Sequence, residues 1–536
     1  MSDEQMSAQA DAKVIALAKM AQLKSEPTSL VRYSSQGRVA IVGGMDALEI
    51  APRLNEMLKA TLVLTEGAEE PGVPTIPVGG RTLKLSGHLG AFKISLGIEG
   101  HANAECITAD LVLDLLPQPL LAMALTPPGY IHSSAEEPML SAGIAGLVEM
   151  VGTFEKPHYH EYDADLCAHG RSGTIVCTRC IDACPADAIR SLTDCVAVDT
   201  NLCQGDGVCA TVCPSGAMRY SYPRTKDSLE QIRVLLHTYR EAGGVDPILV
   251  LLNEDDSVNP VLQQDNLLPL VLEEVAAVGL EVWLSALAYG AKSVLILVSE
   301  NLPAQVLEAL NAQLLTTSEI LQGLGYKPDL VKLTKLSGLV DASAAAPSIV
   351  PATYLGMGGK RQLAYMAIDH LFEQSPRSRP MAQLSVGAPF GNASVDQDKC
   401  TLCMACVGGC PGKALQYGQE LPRLSFVEAN CLQCGTCTRI CPEDAIWISP
   451  RLLFAREARN KVNVLHEEQP FCCTSCGKPF ATSTMIATMK AKLQGHWMYR
   501  DKRALNRLTQ CEDCRVIDVI QDQDALEKAS EGQTLQ

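Results

Sequence analysis

The sequence is short of aromatics, short of positive charge and, over long stretches, short of cysteine. Aromatic side chains make up 4% of its 536 residues, so any core must be built from aliphatics and alanine. Lys and Arg number 44 against 61 Asp and Glu, a net charge of −17. An acidic chain lacks the basic surface that general nucleic-acid binding needs, so nucleic acid is not an expected partner. No uninterrupted apolar run of about 18 residues occurs, so no transmembrane span is expected. The opening Met-Ser-Asp-Glu is not a basic stretch followed by an apolar one, so no secretory signal is legible. A cytoplasmic protein is expected, with docking to a membrane complex left open. The length exceeds what one core can organise, so several domains are expected.

Cysteine is absent between Pro214 and Lys399, and only Cys106 precedes Cys167. The 22 cysteines otherwise gather as eight between 167 and 213, eight between 400 and 441, and five between 472 and 514. Secreted disulfide scaffolds are short and cysteine-dense throughout. This grouping therefore reads as metal ligation in a reducing compartment. Cys106 reads as a buried apolar thiol.

The densest stretch is Cys400-x2-Cys403-x2-Cys406-x3-Cys410-Pro411 followed by Cys431-x2-Cys434-x2-Cys437-x3-Cys441-Pro442. That is the two-cluster ferredoxin spacing, in which the fourth cysteine of each run ligates the other cluster. One 4Fe-4S cluster is assigned to Cys400, Cys403, Cys406 and Cys441, the other to Cys431, Cys434, Cys437 and Cys410. Zinc sites use separated pairs of ligands, not triplets followed by Cys-Pro.

A damaged copy of the same unit lies between 158 and 225. Cys-Pro-x-x-Ala followed by an apolar residue occurs at Cys184, Cys213, Cys410 and Cys441, ending at Ile189, Met218, Leu415 and Ile446. An acidic residue precedes each first ligand: Asp163 before Cys167, Asp199 before Cys203, Asp396 before Cys400 and Glu428 before Cys431. In this phase Cys167 is the first ligand. A loop, Ala168–Val176, carrying His169 and Arg171, separates it from Cys177. One cluster is assigned to Cys167, Cys177, Cys180 and Cys213. The other half, Cys203-x5-Cys209-x3-Cys213, has Asp206 where a cysteine is expected. Three outcomes are open: Asp206 ligates a fourth iron, the corner is vacant and a 3Fe-4S cluster sits on Cys203, Cys209 and Cys184, or Cys195 substitutes.

The expected fold is α/β multidomain: two α/β domains combined with two ferredoxin-like dicluster modules and a C-terminal zinc-binding tail. Residues 1–36 are a helical arm, with a helix over Ala8–Leu23 whose apolar face is Ala10, Val14, Leu17 and Met20. Residues 37–157 are a degenerate nucleotide-binding-like α/β domain, with strands over Ala91–Leu96 and Leu111–Leu115. Its strand–glycine–helix–strand start has Val42 where the glycine fingerprint needs its first glycine, Gly44 and Ala47 filling the other positions. A structural β-α-β unit is the better reading. The modules occupy 158–225 and 391–450. Between them, 226–390 is a cysteine-free α/β domain with strands at Ile248–Leu252 and Ser293–Val298 and helices over Leu267–Val278 and Ala304–Gln322. There Gly356-Met-Gly-Gly359-Lys360-Arg361 reads as a helix-start loop that could receive an anion, after the small-residue linker Ala342–Pro351.

The tail, 451–536, carries Cys473-x2-Cys476 and Cys511-x2-Cys514, two knuckles that read as a four-cysteine zinc site with Cys472 outside it. Between the knuckles Lys478, Lys490, Lys492, Arg500, Lys502, Arg503 and Arg507 meet only Asp501. They form a solvated face or a docking patch for an acidic partner or nucleic acid.

With these residues in place, the chain resembles the multi-cluster 4Fe-4S binding proteins associated with bacterial formate dehydrogenase operons. The text that carries the resemblance is Leu166-Cys-Ala-His-Gly-Arg-Ser-Gly173, Cys177-Thr-Arg-Cys-Ile-Asp-Ala-Cys-Pro185, Cys203-Gln-Gly205, Cys209-Ala-Thr-Val-Cys-Pro214, Pro470-Phe471, Cys476-Gly-Lys-Pro-Phe480, Gly495-His-Trp-Met498 and Cys511-Glu-Asp-Cys-Arg515. The middle insert, around Gly279–Ala291, also looks like the small iron–sulfur subunit of hydrogenases and heterodisulfide reductases without its cysteines. The resemblance implies redox support of formate oxidation, with a formate dehydrogenase or other oxidoreductase as partner. The reading is an electron-transfer polyferredoxin. It competes with an assembly or maturation factor and, more weakly, with a nucleotide- or flavin-dependent oxidoreductase subunit. No general base, nucleophile or complete nucleotide fingerprint stands out, so a carrier is expected rather than an enzyme, and flavin or NAD is not.

Overall fold

Arg38–Gly43, Val-rich and buried from its second residue on, is the central strand of a five-stranded sheet in a computed structural model of the chain. The structure describes residues 3–66, 72–97, 105–133, 138–171, 173–254, 256, 261, 263–336, 349–375, 377–418, 421–499 and 501–522. They divide into two units. The first is Met1–Ala164, Thr178–Ser318 and Tyr326–Gln374; the second is Asp165–Cys177, Glu319–Gly325 and Ser375–Gln536.

In the first unit the five strands run parallel in the order Thr75–Pro77, Lys59–Leu64, Arg38–Gly43, Leu111–Asp114, Tyr130–His132. Helices Met45–Asn55 and Met139–Glu149 bury Ala47, Ile50, Leu54, Leu140 and Ile144 against one face. The other face packs on Phe92, Ile94 and Leu96 of a separate antiparallel sheet, Thr82–Ser86, Phe92–Gly97 and Glu105–Ala109. A Cβ on Gly43 would lie 3.0 Å from that of Ala47 and 3.2 Å from that of Leu115. This glycine therefore serves close helix–strand packing. Cys106, expected to be buried, is exposed on the Glu105–Ala109 strand. Within 1–36, Leu30–Ser35 is a strand paired antiparallel with Gly152–Pro157.

The first helix runs Asp3–Met20. Its buried face is Gln9, Ala12, Lys13 and Ala16, while Val14 is 66% exposed, so the expected apolar stripe is not the packed one. Lys13 Nζ donates to the carbonyls of Val261 (2.8 Å) and Gln264 (2.7 Å).

A second parallel sheet has the order Leu267–Leu272, Ile248–Asn253, Ser293–Leu297, Val331–Thr334. The helix expected over Leu267–Val278 is thus a strand followed by a short 3-10 turn, Val275–Ala277. The run Leu-Leu-Pro-Leu-Val-Leu is apolar throughout, so periodicity could not decide it. Its proline, unfit for a helix interior, is tolerated on this edge strand. Helix Leu280–Ala288 is buried at every position, helix Ala304–Gly323 follows, and Lys360–Glu373 closes the unit. Most of the linker Ala342–Pro351 lies outside the described residues.

In the second unit Gly391–Val395 pairs antiparallel with the strand Ile446–Leu453, and Leu415–Tyr417 with Arg423–Val427. Short helices Ala405–Gly408 and Thr436–Ile440 complete a ferredoxin-type module. The first unit repeats this layout. His160–Tyr162 pairs with Met218–Tyr220 and Ile189–Ser191 with Val196–Val198, with helices Arg179–Ala183 and Val208–Val212. Among the described residues no helix is long and apolar enough to cross a membrane.

Candidate metal centres

Each ferredoxin half is built on the same turns. The residue three after the cysteine of every Cys-Pro-x-x-Ala turn has a left-handed backbone: Asp187 (φ 46°), Gly216 (73°), Lys413 (52°) and Asp444 (48°). That bend turns the following amide back onto sulfur. The N–H of Ala414 donates to Cys410 Sγ and that of Ala445 to Cys441 Sγ, both at 3.3 Å. In the Cys213 turn the donor is one residue further on: the N–H of Met218 reaches Cys213 Sγ at 3.4 Å, while that of Ala217 goes to Ser215 Oγ. The alanines at 188, 217, 414 and 445 are 1–3% exposed, which explains why the signature demands a small apolar residue. Two of the acidic residues upstream are turn formers, while Glu428 instead accepts two hydrogen bonds from the Arg451 guanidinium. Asp199 Oδ1 accepts the N–H of Asn201 (2.9 Å) and Leu202 (3.2 Å), and Asp396 Oδ1 those of Asp398 (3.1 Å) and Lys399 (3.3 Å).

In the second unit one cavity is lined by Cys400, Cys403, Cys406 and Cys441, and another by Cys410, Cys431, Cys434 and Cys437. These are the two expected quartets, each borrowing its fourth thiol from the other half. The remaining lining is largely apolar, including Leu402, Leu424 and Ile446 around the first and Leu415, Phe426 and Leu432 around the second. Burial, then the nearby thiols of Cys400, Cys403 and Cys441, pushes Cys406 up to about 12. Cys437 is likewise raised by burial and then by Cys431, Cys434 and Cys410. Four thiolates facing one dry space repel one another, and a positive metal centre there removes the penalty. The quartets therefore fit iron–sulfur clusters. Cys431 Sγ also accepts a hydrogen bond from Gln433 Nε2, and Cys434 Sγ lies 3.3 Å from Thr436 Oγ1.

In the first unit Cys209 is pushed well up by burial and then by the charges of Cys203, Cys184, Cys180 and Asp206. Cys184, Cys203, Asp206 and Cys209 are thus brought together. The loops superpose in kind: Leu402 and Met404, Gln433 and Gly435, and Gly205 and Gly207 all have positive φ, at the second and fourth positions after the first cysteine. Asp206 stands where Cys403 and Cys434 stand. Burial raises its carboxyl to about 6, opposed by the N–H of Val208 at 3.2 Å. Cys195 lies in the turn of the hairpin Ile189–Val198, its carbonyl accepting the N–H of Leu192. Cys180 and Cys213 belong to the first unit and Cys167 and Cys177 to the second. Within the second, His169 closes the expanded loop: its N–H donates to Cys167 Sγ and its Nδ1 lies 2.7 Å from the Cys177 carbonyl.

Lys156 carries a charge into this region that no motif announced. Its Nζ donates to the carbonyls of Asn201 (3.0 Å) and Cys203 and sits 5.0 Å from the Tyr33 ring centroid. Burial lowers its pKa, with Cys203 and Asp199 opposing. The sequence could not announce it because Lys156 is 47 residues from Cys203, on the strand Gly152–Pro157 outside the cysteine motifs.

Near the C-terminus the thiols of Cys473, Cys476, Cys511 and Cys514 lie within 4.8 Å of one another, Cys476 and Cys511 at 3.7 Å. The first pair follows the strand Pro470–Cys472, and the second opens helix Glu512–Ile520 with Cys511 at its N-cap. Burial pushes Cys473 up, but backbone N–H groups of Cys511, Cys476 and Ser475 outweigh it and hold the thiol at about 6. Such a set suits a tetrahedral cation. Cys472 is exposed and outside the quartet. Four of the six described basic side chains that seemed to face only Asp501 meet other carboxylates. Lys478 meets Asp513, Lys492 meets Glu443, and Arg503 and Arg507 meet Asp518 and Asp522; Arg500 lies outside the described residues.

A family model described as a 4Fe-4S dicluster domain matches residues 390–446, and one described as a 4Fe-4S binding domain matches 196–219, the half that carries Asp206. NADH-quinone oxidoreductase subunit I 2 of Streptomyces coelicolor is 27% identical over 124 residues, covering 20% of this chain and 61% of that protein. The chain therefore spans less than two thirds of the length of this relative. Cysteine motifs, paired cavities and both family models converge on iron–sulfur cluster binding: the chain carries a 4Fe-4S dicluster domain over residues 390–446 and a 4Fe-4S binding segment over 196–219, with a further four-cysteine group able to hold a metal near its C-terminus.

Proposed function

We propose that the protein relays single electrons between a redox enzyme, of the formate dehydrogenase or a related oxidoreductase class, and an acceptor, and that it works as a carrier without a substrate site of its own. The observation that carries this is the pair of cysteine quartets, each lining its own cavity within one short module. When bound, a 4Fe-4S cluster supplies a one-electron couple whose potential follows hydrogen bonding and solvent exposure. The chain's part is to hold four thiolates per cluster, to aim amides at Cys410, Cys441 and Cys213, and to keep water off Cys406 and Cys437 with apolar walls. The distant likeness to a quinone oxidoreductase subunit supports a redox partner. The formate assignment rests on the resemblance of the cysteine-flanking text. In this reading Asp206 ligates the first module's second cluster or leaves its corner open, and the C-terminal quartet holds zinc. An assembly factor docked by a basic tail has less support, because Lys478, Lys492, Arg503 and Arg507 already meet carboxylates of the chain.

The test is anaerobic iron and zinc analysis with electron paramagnetic resonance before and after reduction. About sixteen irons, one zinc and coupled reduced-state signals support a relay with iron at the Asp206 corner. About fifteen irons with an oxidised three-iron signal support the relay with that corner open. About eight irons, with no signal from the first module, would overturn the four-cluster relay.

A further inference from the structure

In the dicluster module of the second unit the two halves share a backbone but not their side-chain donors. Leu402 and Gln433 hold the same place, two residues after Cys400 and Cys431, with φ 53° and 52°. Ala405 and Thr436 likewise stand five residues after those cysteines. Leucine and alanine side chains have nothing to donate, whereas glutamine and threonine do. The turn amides are matched: the N–H of Ala414 on Cys410 Sγ and that of Ala445 on Cys441 Sγ both stand at 3.3 Å. The halves therefore differ at these two side-chain positions.

Gln433 is buried, and its Nε2 donates to Cys431 Sγ at 3.3 Å and to the carbonyl of Asn392 at 3.0 Å. Both neighbours are acceptors, so the amide must present its nitrogen to them and not its oxygen. The bare backbone of Gly391 leaves the room that this amide fills: a Cβ there would lie 2.4 Å from Gln433 Cδ and 2.5 Å from Nε2. Thr436 is also buried, with Oγ1 3.3 Å from Cys434 Sγ. A metal-bound thiolate carries no proton, so in the loaded protein the hydroxyl is the donor. The other quartet has a different surrounding. Glu443, paired with Lys492, lines its cavity, whereas no carboxylate is among the described residues lining the cavity of Cys431.

We propose that Gln433 and Thr436 give the cluster held by Cys410, Cys431, Cys434 and Cys437 the higher reduction potential of the module's pair, so that one electron shared by the two rests there. This rests on the carrier reading above. An added electron makes the ligand sulfurs more negative, and a donor on sulfur then stabilises the reduced form more than the oxidised one. Negative charge from Glu443 works against an electron on the other quartet. Solvent at the exposed Cys403 favours the reduced form there, but at one corner only. Gln433 and Thr436 act on two sulfurs of their quartet, inside a largely apolar cavity where a hydrogen bond is stronger.

The test is an anaerobic potentiometric titration of the iron-loaded full chain, followed by electron paramagnetic resonance. Cys434→Ser and Cys403→Ser each remove one cluster of the module and so mark its midpoint. The midpoint lost in Cys434→Ser is expected to be the higher of the two. Gln433→Leu should lower that midpoint and leave the other in place, weakening electron affinity at least about threefold, on a scale where tenfold is about 59 mV for one electron. Leu402 holds leucine on the same backbone, so iron content should not change. The near-isosteric Thr436→Val should lower the same midpoint, and it decides the matter if Gln433→Leu loses iron. A smaller shift with iron retained overturns the proposal, as does loss of the lower midpoint in Cys434→Ser. Loss of iron from both variants assigns the two side chains to cluster retention and overturns it as well. Wild-type protein whose module takes up no iron would instead overturn the carrier reading, and iron analysis shows that before any variant is made.

Discussion

Asp206 sits between two left-handed glycines, at the position that Cys403 and Cys434 hold between Leu402 and Met404 and between Gln433 and Gly435. The backbone is that of a cysteine loop with a carboxylate at its middle position. Asp206→Cys therefore needs no backbone change. It should convert any oxidised three-iron signal into the reduced-state signal of a four-iron cluster, read by electron paramagnetic resonance. A persistent three-iron signal would place the open corner elsewhere. Cys403 is the exposed member of its quartet. Cys403→Ser should lower iron by about four per chain and reduce visible absorbance in proportion. Unchanged iron would refute the ligand map. Of these features the cysteine spacing was legible in the sequence, and so was the substitution at 206. The left-handed residues Leu402, Met404 and Lys413 were not, because nothing in their side chains favours that conformation.

At the scale of the element, the repeated Cys-Pro-x-x-Ala turn explains its own composition: the left-handed third residue aims an amide at sulfur, and the alanine fits against the module core. Gly207 shows how little slack the loops have. A Cβ there would lie 2.5 Å from Ala277 Cβ, at φ +77°. Gly207→Ala should destabilise the first unit by about 1–3 kcal/mol and release iron from the first module before the second. Thermal denaturation followed at a visible wavelength would check both. The C-terminal quartet is a different kind of element, two knuckles on a strand end and a helix start. Cys476→Ser should release its metal, read by elemental analysis, while leaving iron–sulfur absorbance intact. A parallel loss of iron would mean that the quartet and the clusters are not independent. The knuckles could be read from their x2 spacing. The pairing of Arg503 and Arg507 with Asp518 and Asp522 could not, since those acids lie beyond the second knuckle.

At the scale of the whole molecule, two kinds of core coexist. The sheet cores around Val39, Ile41 and Leu62 and around Val250 and Leu295 contain no cysteine, whereas the dicluster core includes Cys431 and Cys437. Stripping the iron with acid and chelator should therefore abolish the dicluster module while leaving the parallel sheets folded. Circular dichroism should retain most of its signal, and calorimetry should lose one transition and keep another. Complete unfolding on iron removal would contradict separate cores. The sequence by itself determined how the cysteines of residues 400–441 group around two cavities, because metal coordination forces fixed spacings. It also determined the buried strands Ile248–Asn253 and Ser293–Leu297, whose unbroken apolar runs and flanking helices leave few alternatives. Tertiary structure alone decided that Leu267–Leu272 is a strand and that the Asp3–Met20 helix buries Lys13 rather than Val14. Each of these depends on partners tens to hundreds of residues away. A local pattern records the preferences of a segment, not the surface it meets.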